Sequence, residues 1–243
     1  MFFRQLFDLE SKTYTYLIAD PKTQEAVLVD PVLEQVERDR NLLQELGFKL
    51  RYCLETHIHA DHITGTAKLR ELTGSLGVLP EKAQAVCADR LIRDGEMLLL
   101  RSISIQAIAT PGHTDSHMAY RVNNDRVLTG DALFIRGCGR TDFQGGDAGI
   151  LFDSVTQRLF TLPEETLVYP AHDYRGCTVS TIGEERRWNS RFAGRDRTSF
   201  IEFMTNLELP KPQKMMEAIP ANEHCGNIVS PQMPTSRTQH ERS

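Results

Sequence analysis

The chain has no apolar run near the roughly 20 residues that a membrane-spanning helix requires, so no transmembrane segment is predicted. Its opening stretch, Met1-Phe2-Phe3-Arg4-Gln5-Leu6-Phe7-Asp8, lacks the apolar core and small-residue cleavage site of a secretory signal, and a cytoplasmic location is expected. A dense basic stripe is missing too. Lys and Arg number 28 against 33 Asp and Glu, a net charge of -5, which argues against nucleic acid as a partner. Arg186, Arg187, Arg191, Arg195 and Arg197 form one local cluster, but Glu184, Glu185 and Asp196 interrupt it, which predicts a solvated helix face rather than a polyanion site. There is no C-x-x-C pair. The five cysteines, Cys53, Cys87, Cys138, Cys177 and Cys225, are odd in number and widely spread, and neither a disulfide framework nor a zinc knuckle is expected. No repeat at fixed period occurs. What remains is an ordinary globular composition, 40% hydrophobic and 25% charged over 243 residues, enough for one large domain with a short appendix.

Strand signals dominate the first half. Tyr14 to Asp20 and Glu25 to Asp30 flank Pro21-Lys22-Thr23-Gln24 and predict a hairpin. Leu33, Val36, Leu43 and Leu46 lie near one helical face that stops at Gly47. Leu50 to Thr56 predicts a strand running into a His-rich loop, and Thr64 to Leu72 a helix ending near Gly74. Further strands are expected at Leu76 to Leu79, Met97 to Leu100 and Ile103 to Ile108. Two more flank the Asn123-Asn124-Asp125 turn, and another spans Thr166 to Tyr169. Helices are expected over Ile150 to Phe160 and most of Ile182 to Leu207, and a frayed polar tail after Gly226. This order suits an α/β architecture of packed sheets with helices outside. Residues 1–227 are expected to form the domain and 228–243 a flexible tail.

The densest chemical signal is Thr56-His57-Ile58-His59-Ala60-Asp61-His62, with three imidazoles and a carboxylate in a loop that follows a strand. Imidazole nitrogen and carboxylate oxygen are the usual ligands of zinc, iron and manganese. Thr110-Pro111-Gly112-His113-Thr114 and Thr129-Gly130-Asp131-Ala132 present His113 and Asp131 at further strand ends. The glycines there allow backbone to come close to a metal. Pro170-Ala171-His172-Asp173 adds another piece of the same style. Either later piece is weak alone; with the His-rich loop upstream they form a set.

T-H-x-H-x-D-H, then P-G-H-T, then T-G-D, then a late His is similar in order to the signature of the metallo-β-lactamase superfamily. Within it the chain resembles the persulfide dioxygenases, also called sulfur dioxygenases, of the ethylmalonic encephalopathy protein type. The stretches that carry this likeness are His57 to Gly65, Gly130-Asp131-Ala132-Leu133-Phe134-Ile135-Arg136-Gly137-Cys138-Gly139-Arg140-Thr141-Asp142-Phe143-Gln144, and Tyr169-Pro170-Ala171-His172-Asp173-Tyr174. Leu209-Pro210-Lys211-Pro212, Pro220-Ala221-Asn222 and Cys225-Gly226 complete it. The resemblance implies the metallo-β-lactamase fold, an αβ/βα sandwich of two mixed sheets flanked by helices. It also implies one Fe(II) per chain held by His57, His113 and Asp131. His59, Asp61, His62 and His172 would then lie around that site without binding a second metal. Two imidazoles and a carboxylate leave coordination positions open on an octahedral ion.

The same resemblance implies glutathione persulfide and O2 as substrates, with sulfite and glutathione as products, in sulfide detoxification. His172 and Tyr174 join the three ligands as expected catalytic residues, Tyr174 also as a substrate contact. Arg140 is expected to receive a glutathione carboxylate in its planar fork, and Arg136 to do so more weakly or to pair with a nearby acid. Cys138 is expected to be packed rather than nucleophilic. Where relatives commonly continue P-G-H-T-P-G, this chain has Asp115-Ser116-His117, and His117 is expected at the surface or hydrogen-bonded, not as a ligand. No nucleic acid or membrane partner is expected, and a homodimer is left open. Two other functions remain: a glyoxalase II-like thioester hydrolase using a dinuclear metal site, and a non-catalytic metal-binding persulfide sensor.

Overall fold

The computed structural model describes residues 1–212 and 214–227; the tail expected over 228–243 lies outside the described residues. The predicted hairpin forms as β2 (Tyr14–Asp20) and β3 (Glu25–Val29), paired antiparallel. Every residue of β2 is buried. Its alternate side chains enter two different cores, as a strand covered on both faces requires. Tyr14, Tyr16 and Ile18 face the core between the sheets, and Leu17 and Ala19 face the layer of helices.

The first sheet has six strands. β1 (Phe2–Phe7), absent from the sequence reading, pairs antiparallel with β2, and β3, β4 (Lys49–Leu54), β5 (Leu76–Pro80) and β6 (Arg90–Ile92) run parallel. α1 (Val36–Glu45) and α2 (Thr66–Thr73) supply the parallel crossovers, and Val36, Leu43 and Leu69 cover the outer face with Leu28 and Cys53. Gly74 closes α2 in the left-handed conformation at φ 70°.

The second six-stranded sheet carries β7 (Met97–Leu100), β8 (Ile103–Ala109), β9 (Met118–Val122), β10 (Arg126–Gly130), β11 (Leu167–Pro170) and β12 (Ser180–Thr181). β10 and β11 are parallel and the remaining pairs antiparallel, so both sheets are mixed. α3 (Ala148–Ser154) and α5 (Arg197–Thr205) cover its outer face through Leu151, Phe200 and Met204. The mostly helical region expected over Ile182 to Leu207 consists of two helices, α4 (Ile182–Trp188) and α5. The Asn189 carboxamide donates to Phe134 O and Gly137 O, and Asp196 begins α5 with a capping box. Between the sheets, Leu54, Val78, Ile105 and Tyr120 are at most 1% exposed, and truncating one such aliphatic chain to Ala costs about 2–5 kcal/mol.

One expectation is overturned here. Cys87 and Cys225 form a disulfide, with Cα atoms 5.9 Å apart. They lie 138 residues apart in sequence, so nothing local marks the pair. The fold joins them by docking α6 (Met215–Asn222), which the sequence reading missed, beside the loop that follows β5. Cys53, Cys138 and Cys177 are free, and burial pushes the thiols of Cys53 and Cys138 up to about 12, which makes them inert packing groups. No helix among the described residues is long and apolar enough to cross a membrane.

Candidate metal centre

β4, β8, β10 and β11 all end on one side of the sandwich, and the loops after them deliver His57, His113, Asp131 and His172. Backbone ties fix the convergence. Met118 N donates to Thr56 O at 2.8 Å, which joins the sheets beside the His-rich loop, and Ala171 N donates to Gly130 O at 3.1 Å. Tyr14 N donates to Ala171 O at 2.7 Å, and the Tyr120 hydroxyl to Glu55 O at 2.7 Å.

His57, His113 and Asp131 each offer a ligand atom within 4.8 Å of the others. His113 Nδ1 lies 2.7 Å from Arg140 O, a carbonyl that only accepts, so Nδ1 carries the proton and Nε2 is bare. That Nε2 is 3.4 Å from Asp131 Oδ2. His57 is buried with Nδ1 2.9 Å from Thr56 Oγ1. Burial, aided by the surrounding imidazoles, holds its pKa well below the usual histidine value, so the neutral, ligand-competent form prevails. Asp131 Oδ1 is buried without a hydrogen-bond partner; the nearest base is His172 Nε2 at 3.5 Å. A buried carboxylate oxygen left unmatched is costly. A cation among these three side chains would satisfy it, so the donor set fits a divalent metal.

A second cluster lies beside the first. His59, Asp61 and His62 also place ligand atoms within 4.8 Å of one another; protein groups satisfy part of this set, while His59 Nδ1 and His62 Nε2 are buried without a partner among the described residues. Asp61 Oδ2 is 3.0 Å from His62 Nδ1, 3.3 Å from the Thr13 hydroxyl and 3.6 Å from His172 Nε2. Burial raises the Asp61 pKa, yet His62 and His172 outweigh it and keep the carboxyl far below its ordinary value. His59 Nε2 sits 3.2 Å from Asp30 Oδ1 and 3.4 Å from Glu55 Oε2. Burial opposes the charged imidazole, but the two carboxylates prevail and hold its pKa well above the usual value.

The sequence reading missed the residues that build this loop from below. Asp30 ends β3 with φ 49° in the left-handed region and accepts from Thr56 N at 2.7 Å and the Thr56 hydroxyl at 2.9 Å. Its only sequence signal is an acid before Pro31 at a strand end. Glu55 Oε1 accepts from the hydroxyls of Thr64 and Thr66. Asn222, at the end of α6, donates to His59 O at 2.9 Å and His62 O at 2.8 Å and accepts from Thr64 N at 2.8 Å.

The triad opens into a cavity of about 900 Å³. Its far wall is made by Phe203, Leu209 and Pro210, and cations at Arg175, Arg191, Arg195 and Lys211 stand around it. Arg191 and Arg195, expected on a solvated helix face, instead line the cavity with their guanidiniums 5.0 and 4.3 Å from the Phe203 ring centre. The chain turns between α4 and α5, and this brings them inward. Arg186 and Arg187 pair with Glu164, and Arg197 with Asp153. Arg140 lines the cavity too, but its fork is taken: Nε and Nη2 donate to the Asp142 carboxylate at 2.6 and 2.7 Å, and Nη1 to Pro210 O at 2.6 Å. Arg136 is bound to Glu184 and Glu185. Tyr174 stands at the mouth, 70% exposed and stacked on His172 with ring centres 6.1 Å apart. His117, contrary to a surface position, is 1% exposed and hydrogen-bonded.

Compared with known proteins, residues 10–172 match the metallo-beta-lactamase superfamily. The chain is similar to the mouse protein named persulfide dioxygenase ETHE1, mitochondrial, at 48% identity over 94% of this chain and 90% of that one. Its human counterpart is 47% identical over 92% and 88%. The crystal structure of ETHE1 from Myxococcus xanthus superposes with a TM-score of 0.91 at 53% identity, covering 93% of this chain and all of that one.

Proposed function

The chain belongs to the metallo-beta-lactamase superfamily and, within it, to the family of the ETHE1 persulfide dioxygenases, and from that premise we propose that it is an iron-dependent dioxygenase of glutathione persulfide. The observation that carries this reading is the His57, His113, Asp131 triad, its ligand atoms within 4.8 Å, at the floor of a cavity roomy enough for a tripeptide. Those three residues would hold one Fe(II), which when bound supplies the redox step that lets O2 react with a sulfur nucleophile. In the balanced reaction, persulfide, O2 and water give glutathione, sulfite and two protons. The S–S bond breaks, and the terminal sulfur is oxidised as O2 is reduced.

The chain's own side chains bind and orient. Arg140 O keeps the proton of His113 on Nδ1, which aims the Nε2 lone pair into the triad. His172, between the carboxylates of Asp61 and Asp131, has its pKa lowered by burial but raised further by those acids, so it is placed to hold a proton beside the reacting sulfur. Tyr174 offers its hydroxyl from the mouth of the cavity. Arg140 and Arg136 are already paired with acids of the chain and serve the substrate by shaping the wall; Arg140 also ties down Pro210. The carboxylates of glutathione go instead to Arg191 and Arg195, which line the cavity beside Phe203. Residues 1–227 act as one domain, the compartment is the cytoplasm, and neither nucleic acid nor membrane takes part.

A dinuclear thioester hydrolase is the second reading, and one observation favours it: His59, Asp61 and His62 also cluster within 4.8 Å. Oxygen uptake by iron-loaded protein with glutathione persulfide, sulfite being assayed, separates the two. The dioxygenase consumes O2 with about one iron per chain. Thioester hydrolysis by a protein holding two zinc ions, without oxygen uptake, would overturn the proposal.

A further inference from the structure

His117 is neither a member of the triad nor a surface residue, yet its ring is built into the site from behind. Asp131 N donates to His117 Nε2 at 2.9 Å. Because Nε2 accepts, the ring proton is on Nδ1, which donates to the Thr110 hydroxyl at 2.8 Å. Thr110 N in turn donates to His117 O at 3.0 Å. The ring is tilted 31° to that of His57, with centres 5.1 Å apart, and stands edge-on to His113 at 6.1 Å. Gly130, at φ 51°, makes the turn into Asp131, and a Cβ there would collide with His117 Nε2. On the other side of the Asp131 peptide, its carbonyl accepts from Gly139 N at 2.8 Å. The Asp131 backbone is therefore held at both ends, and only the His117 end depends on a side chain.

We propose that His117 is a positioning residue of the metal centre: its Nε2 acceptor fixes the Asp131 backbone so that the carboxylate meets the imidazoles of His57 and His113. The inference rests on the metal-centre reading above. His117 itself is no ligand, because its lone pair is occupied by the Asp131 amide and its proton by Thr110. A space-filling residue could be exchanged for a hydrocarbon of similar size; an acceptor cannot.

Anaerobic titration of the full chain with Fe(II), together with the visible spectrum of the Co(II)-loaded protein, tests this on three variants. His117→Leu, which keeps bulk and loses the acceptor, is expected to weaken Fe(II) binding about 10–100-fold and to alter the Co(II) bands. His117→Gln, whose amide oxygen reaches about as far as Nε2, is expected to recover most of the affinity and the native spectrum. Thr110→Val leaves the ring but removes the group that fixes its tautomer, and is expected to show a smaller loss in the same direction. Native affinity and an unchanged spectrum in a folded His117→Leu protein would overturn the proposal. Should that variant fail to fold, native values in Thr110→Val would do so. Wild-type protein that takes up neither metal would overturn the metal-centre reading itself, a distinct result.

Discussion

The two halves of the His-rich loop make an instructive contrast. His57 faces His113 and Asp131, whose remaining carboxylate oxygen is buried and unmatched. His59, on the same loop, points its Nε2 at Asp30 and Glu55, 3.2 and 3.4 Å away. One histidine belongs to a donor set that would take its counter-charge from a metal; the other already shares its charge with two acids. The same residue type in one motif thus has two electrostatic roles, decided by what lies beneath the loop.

Breaking the His57 side gives the largest effect. His113→Ala removes one of three ligands, and both iron binding and oxygen consumption are expected to vanish in metal analysis and respirometry. A folded variant that retains both would remove His113 from the ligand set. The disulfide comes next, because it anchors the chain just after α6. Cys225→Ser opens a closure of 138 residues and is expected to cost about 2–5 kcal/mol in urea unfolding. Asn222→Ala acts on the His59 side alone. It leaves His59 O, His62 O and Thr64 N without their buried partner, and a loss of about 3 kcal/mol is expected. Equal stability to wild type would show that water replaces the amide there.

The contrast also marks what the sequence disclosed. The residues at loop tips after strands were legible, because His57, His113, Asp131 and His172 sit in short dense motifs that the two sheets bring to one side. Their supports were not. Asp30 reads as an acid before a proline at a strand end, and Asn222 only as part of the Pro220-Ala221-Asn222 stretch that carries the family likeness, with no role attached. Their meaning comes from backbone atoms far away in sequence. His117 was expected to be at the surface or hydrogen-bonded because a lone His carries no sign of what surrounds it; Thr110 and the Asp131 amide bury it. Arg191 and Arg195 looked solvated because acids interrupt their cluster, but the turn between α4 and α5 separates those acids and directs both toward Phe203. The Cys87–Cys225 pairing depends wholly on where α6 docks. Packed sheets with helices outside were legible in the order of strand and helix signals, and the αβ/βα sandwich came with the family resemblance, whereas β1, β6 and β12 went unread, being edge strands and, for β6 and β12, very short.

The smallest effect sharpens the contrast most directly. In metal-free protein, burial and neighbouring imidazoles lower the pKa of His57, whereas burial lowers that of His59 but Asp30 and Glu55 raise it overall. The linkage signs are therefore opposite. The His57 contribution is complete above its unfolded pKa of about 6.5 and is lost as pH falls toward its depressed folded value. The His59 contribution is complete below about 6.5 and is lost as pH rises through its elevated folded value. Asp30→Asn removes the nearer carboxylate and draws the His59 pKa back down. The stability advantage of wild type over this variant should thus shrink as pH rises from 6.5, by no more than about 1.4 kcal/mol per unit for a single proton. Urea midpoints of both proteins over that range read the slope. A difference that stays constant with pH would mean that His59 carries no charge, and the two halves of the loop would then differ in shape but not in electrostatics.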